Sequence, residues 1–457
     1  MPVMTTARQR LGASVRTRRD LHVLFALAVL IAARPARVLA QDSVSNVSGD
    51  TLHLTLSDLL DSIQSSHPVV AQGSAMVLAA HQRRNAAGRL LDNPNLEWQH
   101  SGATSYLMIL RQPIFWPWDV TARRHLGDAE VAVAHSESQL LTDSVALAAA
   151  QRFADVLRDR AQVALATEAE SLASVVYDRS VAARQLGEVG DLTVLQARVA
   201  LDAARRDRAT AGDEHRVSMT NLALMIGVPP DAPIVPEGDL ATLAAVSEPD
   251  SGYLALALGT DPELQRFTAA KIRADREASL WRSQGRIPQL TFGPSFGWSI
   301  NAVATIPPVP PSTTPTYKNA DIHYLGFDVE LDIPIWHGHA AETEAANQDR
   351  AAAEAGHQAR QRELQFEVLD ATTTMSRASR QLQVLRTGDL ARARLADSLA
   401  ANALRAGGPY LTTWVSAREG YLDARRAELD LLWQAARARL ILQYLTGTLL
   451  APPSEGQ

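Results

Sequence analysis

The stretch FDVELDIPIWHG, residues 327–338, contains the transition that decides the fold. Its apolar residues alternate with acidic ones, as in a β-strand that has one apolar and one wet face. The acids are Asp328, Glu330 and Asp332. Pro334 then ends the strand, and a long run without proline follows. The stretch QPIFW at residues 112–116 makes the same transition earlier, so the chain passes twice from a strand into a long helix.

Composition narrows the classes of function. The 457 residues carry a formal net charge of −6, which argues against a nucleic-acid partner. The chain has no cysteine, which excludes disulfides, thiolate metal sites and cysteine nucleophiles. There is no glycine-rich phosphate loop and no nucleophile elbow, so we expect neither an enzyme nor a bound cofactor.

The first forty residues have the pattern of a secretory signal. Several arginines precede the apolar run LHVLFALAVLIAA, residues 21–33, and small residues lead to a cleavage site after Ala40. The alternative is an N-terminal membrane anchor, but the apolar run is shorter than the roughly 20 residues of a spanning helix. We therefore expect residues 1–40 to be removed and the mature chain to be exported.

The mature chain reads as a tandem duplication. Matching residues recur at nearly fixed offsets: Pro68 and Pro262, Pro94 and Pro288, Pro113 and Pro334, Gly187 and Gly407, Gly227 and Gly447. The offset rises from 194 to 221 residues between the two strand-like segments, which places one insertion there. We predict a first repeat at 41–227 with a β-hairpin at 95–113, a proline-rich connector at 228–250, a second repeat at 251–450 with a hairpin at 289–334, and a tail at 451–457.

Each repeat contains one very long helix. The first is predicted from about Asp119 to Gln185 and the second from about Ala340 to Arg405. A helix of that length spans on the order of 100 Å, far beyond the globular norm, and indicates coiled-coil or barrel packing. In the last helix, apolar residues seven apart form a heptad seam: Val415, Leu422, Leu429 and Ala436. The predicted class is mainly α with a small β part.

The second hairpin has the alternation of a membrane barrel. Leu290, Phe292 and Phe296 lie on one face of its first strand, and small or polar residues lie on the other. A half-buried strand of a soluble sheet has the same period, and that alternative stays open. Four strands cannot close a barrel in lipid, but three chains supply twelve. We then expect Asp328, Glu330 and Asp332 to face a water-filled lumen as nine carboxylates that attract cations, with Trp116, Trp118 and Trp336 at the lipid interface.

The order of these motifs resembles the TolC-like outer-membrane efflux family, most of all its heavy-metal and multidrug branch. The matching text is DNPNLEW, QPIFW, DIPIW, LGEVGDLTVLQARVALDAARRD and LMIGV, which together extend over nearly the whole mature chain. The resemblance implies a homotrimer in the outer membrane with a 12-stranded β-barrel and a periplasmic α-helical barrel. It also implies a periplasmic adaptor and an inner-membrane pump of the RND type or the ABC type as partners.

The resemblance assigns roles to the helical tips. The segment 187–193 ends one helix and begins the next, and family members present this turn to the adaptor. The implied docking residues are Gly187, Leu192, Thr193, Gly407, Leu411 and Thr412. The family often narrows the tube here with rings of aspartate. The corresponding positions are Thr413 and Ser416, neither of them acidic. Asp191 and Glu188 could take their place, and the alternative for both is a capping or solvated role.

Three histidines lie close together in sequence and suggest a metal site: His323, His337 and His339. Histidines two apart at a helix start do not point at one ion, so we expect no metal site.

The favoured hypothesis for function is a passive conduit for substrates delivered by a pump. The alternatives are a conduit for protein secretion beside an ABC transporter, and a soluble periplasmic coiled-coil scaffold that conducts nothing.

Overall fold

A computed structural model describes residues 52–101, 105–245, 252–286, 288–306, 316–334, 338–405 and 411–450. Within these ranges, only the backbone is described for residues 101, 301–306, 316–320, 404–405 and 411. The predicted signal peptide and the tail at 451–457 also lie outside the described residues.

The described part of the first half contains three strands and four helices. They are β1 (Leu52–Leu54), α1 (Leu56–Ser66), α2 (Pro68–Ala87), β2 (Asn95–Ser101), β3 (Ser105–Ile114), α3 (Pro117–Gln185) and α4 (Asp191–Ile226). A connector follows, with β4 (Ile234–Pro236) and α5 (Leu240–Leu243). Strand β4 pairs in parallel with β1, and Arg160 of α3 binds the connector by donating to the carbonyl oxygens of Pro236 and Gly238.

The second half repeats the order of the first. Its elements are α6 (Tyr253–Thr260), α7 (Pro262–Gln284), β5 (Gln289–Ile306), β6 (Thr316–Asp332), α8 (Ala340–Thr387), α9 (Asp389–Arg405) and α10 (Leu411–Leu445). In both halves a hairpin lies between a shorter helix and a very long one. The predicted fold class, long antiparallel helices with four barrel-type strands and an internal duplication, is confirmed.

Matching helix ends show that the duplication extends to single hydrogen bonds. Helices α2 and α7 both begin with proline after a capping side chain, which is His67 in the first half and Asp261 in the second. Helices α4 and α10 are both followed within two residues by a glycine with positive φ, Gly227 at 80° and Gly447 at 66°. In each case the next amide reaches back to the carbonyl five residues earlier, which closes the last turn.

The helical body is packed around small side chains. On α3, Ala146, Ala149, Ala150 and Ala154 are fully buried, and such small residues let neighbouring helices approach closely. Three residues of the predicted heptad seam on α10, Leu422, Leu429 and Ala436, lie in the same core. The seam therefore does form a packing stripe between α10 and its neighbours. None of the described helices combines the length and apolar character needed to cross a membrane.

The second long helix differs from the sequence-based prediction. One helix was expected from about Ala340 to Arg405, but the chain breaks at Gly388, where φ is −107° and ψ is −93°. Thr387 ends α8, and Asp389 begins α9 with its carboxylate in the first turn, 2.6 Å from Arg392. Glycine weakens helix at this position and a favourable helix start follows at once, so the helix restarts instead of continuing. The counterpart helix α3 is continuous over 69 residues.

A buried charge network lies at the start of α7. The guanidinium of Arg360 on α8 is 2.9 Å from Asp261 and 3.1 Å from Glu263, and both Asp261 and Arg360 are buried. The carboxylates of Glu363 and Glu367 on α8 also lie close to the guanidinium, at 3.3 Å and 3.2 Å. Burial alone would lower the pKa of Arg360, but the hydrogen bonds and the charges of Asp261 and Glu367 together outweigh burial and raise that pKa. The cation therefore stays charged and neutralises the cap of α7.

Replacing Arg360 by Met should destabilise the protein strongly, because Asp261 would remain buried without a cation. Loss of one partner of a buried ion pair costs about 3–5 kcal/mol. The matched control is Arg350→Met on the same helix, whose pair with Asp275 at 3.3 Å is about half exposed and worth at most about 1 kcal/mol. Thermal unfolding in detergent compares the two. Equal losses in both variants would contradict a special role for the buried pair.

Asp143 on α3 adds a pH dependence. Burial raises the pKa of its carboxyl from 3.8 to about 6, so ionisation is harder in the folded chain than in the unfolded one. The protonated carboxyl therefore contributes its full share to the free energy of unfolding below pH 4. That share is lost as the pH rises through 6, where the buried carboxyl must ionise. Asp143→Asn should be more stable than wild type at pH 8, by about 1 kcal/mol given partial solvation, and equal to it near pH 3.5. Melting curves at both pH values test this against Asp178→Asn, an exposed aspartate of the same helix.

Candidate functional site

The four longer strands form one antiparallel sheet in the order β2-β3-β5-β6. Residues paired in register point to the same side, which assigns every described side chain to one of two faces. Strands β2 and β6 lie at the edges, and within the described residues their outer edges carry no partner strand. The sheet therefore offers two faces and two open edges.

One face is apolar and exposed. Leu325 and Phe327 of β6 are 79% and 72% exposed, and Val329 beside them is 65% exposed. An aromatic group continues this face across the sheet: the ring centroids of Trp98 and Tyr106 lie 5.5 Å and 5.0 Å from that of Trp298. Soluble monomers rarely expose a continuous apolar patch of this kind, so the face must meet lipid or protein.

The opposite face is polar and contains the predicted acids. Asp328, Glu330 and Asp332 pair in register with Gly293, Thr291 and Gln289 of β5. Glu97 of β2 projects to the same side, as its contact with Arg111 shows. The three acids thus occupy the face opposite to the apolar one, as the alternation requires, and Glu97 is a fourth carboxylate that the sequence reading missed.

Arg111 of β3 joins these acids. Its guanidinium pairs with Glu97, lies 3.2 Å from Asp328 and lies 3.3 Å from Glu330. Sequence reasoning missed this residue. The alternation of β3 places it on the same face as Leu107 and Ile109, which are apolar and gave no sign of a charged face. Only the register of β3, β5 and β6 together shows that it meets acids 217 and 219 positions later.

Glycines of β5 make room for side chains that cross the sheet. Gly293 lies between Arg111 and Asp328 in one row, and any side chain there would stand in the path of the ion pair and collide with the backbone of Leu110. Gly297 plays the same part for Tyr324, whose ring lies over it. The polar face is therefore layered: Arg111 and Tyr324 from the neighbouring strands cover β5.

The junction of β3 with α3 is built from aromatic rings. Trp116 and Trp118 stack in parallel with centroids 5.1 Å apart, and the indole N–H of Trp116 donates to the carbonyl oxygen of Pro288 at 2.9 Å. Asp119 lies in the first turn of the helix and accepts hydrogen bonds from Arg123 at 2.9 Å and from Gln284 at 3.1 Å. Trp118 is half exposed, and its place at the lipid interface stays a prediction. Trp336, the predicted counterpart, lies outside the described residues.

The turn between α3 and α4 is closed by a regular motif. Gly187 has a φ of 76°, and the amides of Gly187 and Glu188 donate to the carbonyl oxygens of Arg184 and Ala183. Leu186 and Leu192 project from this turn, 75% and 69% exposed, and Thr193 is exposed beside them. The turn thus presents apolar side chains with no partner within the described chain.

The second tip is described only in part. Gly407 and the side chain of Leu411 lie outside the described residues; α10 begins at Leu411, and Thr412, Thr413 and Ser416 are exposed on its first turns. At the first tip, Asp191 pairs with Arg184 at 2.5 Å, so its charge is offset locally. The predicted constriction at Asp191, Thr413 and Ser416 stays a prediction.

The histidines are spread apart. His339 precedes α8 with a φ of 52° and packs on Trp281 at 5.1 Å, and His323 stacks on Phe296 at 6.3 Å; His337 lies outside the described residues. In the part of the chain that the structure describes, no group of three or more histidines and acids is arranged to hold a metal ion.

Comparison with known proteins gives a sequence match for the second half. Residues 253–448 match the family model described as Outer membrane efflux protein. No curated protein matches the chain in sequence.

Solved structures match almost the whole described chain in fold. The outer membrane protein VceC of Vibrio cholerae is 17% identical, with a TM-score of 0.64 over 86% of this chain and 96% of its own. The MtrE outer membrane channel of Neisseria gonorrhoeae, described in its open state, is 15% identical, with a TM-score of 0.66 over 86% and 89%. The CmeC outer membrane channel of Campylobacter jejuni is 12% identical, with a TM-score of 0.63 over 88% and 87%.

These matches confirm the resemblance that the sequence indicated, and the predicted location in the outer membrane agrees with them. At such low identity the structural matches establish the fold alone, and the family match is limited to residues 253–448. Neither bears on the docking residues at the tips or on the acids of the sheet, which remain predictions.

Proposed function

Because residues 253–448 belong to the outer membrane efflux protein family and the described chain has the fold of outer membrane channels, we propose that three copies form a passive conduit through the outer membrane. Substrate enters the tube from the periplasmic side and leaves at the cell surface. The energy comes from an inner-membrane pump, and a periplasmic adaptor joins that pump to the helical tips.

The two-faced sheet carries this proposal. Its apolar face is broad and exposed, its polar face is charged, and both of its edges are open. In water, the exposed apolar face is unfavourable. In lipid, the open edges are unfavourable, because each unpaired backbone group costs several kcal/mol there. Closure of three sheets into one barrel of twelve strands satisfies both demands, with lipid outside and water inside.

The helical tip supports the adaptor as a partner. The exposed Leu186 and Leu192 lie at the turn that ends α3, the helix that leaves the sheet directly. At 1.5 Å per residue, 69 helical residues place this turn about 100 Å from the membrane strands, which is deep in the periplasm. An apolar surface that far from lipid fits a protein contact.

The conduit reading predicts a trimer in the outer membrane. The full chain, expressed with its signal, should fractionate with the outer membrane and migrate as a trimer that heating dissociates. The purified trimer should open water-filled channels in planar bilayers. Recovery as a soluble periplasmic monomer would favour the coiled-coil scaffold and contradict the proposal.

The tip reading predicts a loss of transport without a loss of assembly. Leu192→Glu places a charge on the exposed apolar surface, so adaptor binding should weaken and pump-dependent drug resistance should fall at least about tenfold, equivalent to about 1.4 kcal/mol of lost binding.

Val217→Glu is the matched control, since Val217 is a similarly exposed apolar residue on the same helix, about seven turns from the tip. Both variants should run as trimers. Wild-type resistance with Leu192→Glu, or an equal loss in both variants, would show that the turn is not a docking site.

A further inference from the structure

Arg111 has no role in the function proposed above, yet it occupies the centre of the polar face. Its side chain and those of Glu97 and Asp328 are each between a fifth and a third exposed, so the group is reached by water. Glu330 is more exposed, and Asp332 forms no ion pair among the described residues. Among described side chains of this face, four carboxylates face one cation.

The position of Arg111 makes its charge act across the whole sheet. It lies on β3, Glu97 lies on the edge strand β2, and Asp328 and Glu330 lie on the opposite edge strand β6. The side chain reaches β6 because Gly293 leaves the intervening strand bare. One guanidinium therefore holds carboxylates from both edges of the sheet.

We propose that Arg111 is a specificity-determining residue of the conduit, which sets how strongly the lumen prefers cations. This inference rests on the proposed function, because it requires the polar face to line a water-filled lumen. Charge pairs at about 3 Å act on a distant ion as their sum, so each Arg111 cancels one of four carboxylates per chain. The acids make the lumen cation-selective, and Arg111 limits that selectivity.

The alternative is that Arg111 only braces the sheet. A brace would require the fork of the guanidinium and its hydrogen bonds, whereas a charge-setting residue requires only its positive charge. The two roles differ in their dependence on salt, because the field of a charged lumen is screened over about 10 Å at 0.1 M salt and over about 3 Å at 1 M.

The test is the reversal potential of single channels in planar bilayers under a KCl gradient. Arg111→Gln should raise the permeability ratio of K⁺ to Cl⁻ at least about twofold near 0.1 M salt, and the difference should shrink near 1 M. The triple variant Asp328→Asn, Glu330→Gln, Asp332→Asn should shift the ratio in the opposite direction. Arg84→Gln removes a cation that pairs with Asp128 on the helical body and should leave the ratio unchanged.

A charge-balanced variant separates charge from assembly. Arg111→Gln combined with Asp328→Asn removes one charge of each sign, so it should form trimers and restore the wild-type ratio. A wild-type ratio in Arg111→Gln, or failure of both Arg111 variants to form conducting trimers, would overturn the proposal and leave Arg111 a structural residue. If the wild-type protein itself forms no channels, the conduit function fails first, and that result is distinct from the other two.

Discussion

The structure depends on the backbone hydrogen bonds of a sheet in which four strands are described. A strand edge in lipid leaves unpaired N–H and C=O groups, and a broad apolar face in water is equally unfavourable. The sheet has both features, because β2 and β6 are open at the edges and the face with Leu325 and Phe327 is exposed. In the proposed trimer, closure of three sheets into one barrel removes both penalties at once. The long helices continue from the strands, so in that trimer the closure also brings the helices around one axis.

The two halves contribute unequally to the sheet from which the proposed barrel is built. Strands β5 and β6 contain 18 and 17 residues, whereas β3 contains 10 and β2 contains 7. A tilted strand needs about 9–11 residues to cross the hydrocarbon, so β5, β6 and β3 suffice and β2 falls short over its regular part. The second hairpin therefore supplies most of the apolar surface, and the insertion that the sequence shows between its strands lengthens the wall. The polar face is shared more evenly, since Glu97 and Arg111 come from the first half.

The periodic spacing of residues along the sequence predicted which side chains share a face of a strand or a helix. Alternation in β6 was enough to place Asp328, Glu330 and Asp332 on one face, and heptad spacing was enough to identify Leu422 and Leu429 as core. Arg111 could not be found in this way, because its meaning depends on the register of strands about 200 residues apart and on the missing side chain at Gly293. The break at Gly388 was also missed, since a single glycine weakens a helix by only about 1 kcal/mol and its neighbours decide whether the helix continues.

Asp261 and Arg360 show how a duplicated backbone diverges in its chemistry. The first half caps α2 with the imidazole of His67, which can accept a hydrogen bond while neutral. The second half caps α7 with the carboxylate of Asp261, a stronger acceptor that is fully buried. A buried carboxylate requires a cation, which α8 supplies as Arg360, and that cation in turn draws Glu263, Glu363 and Glu367 around it. The same turn of backbone is thus capped by an imidazole in one half and by a carboxylate with its charge network in the other, so of these two caps it is the one on α7 at which a single substitution leaves an unpaired buried ion.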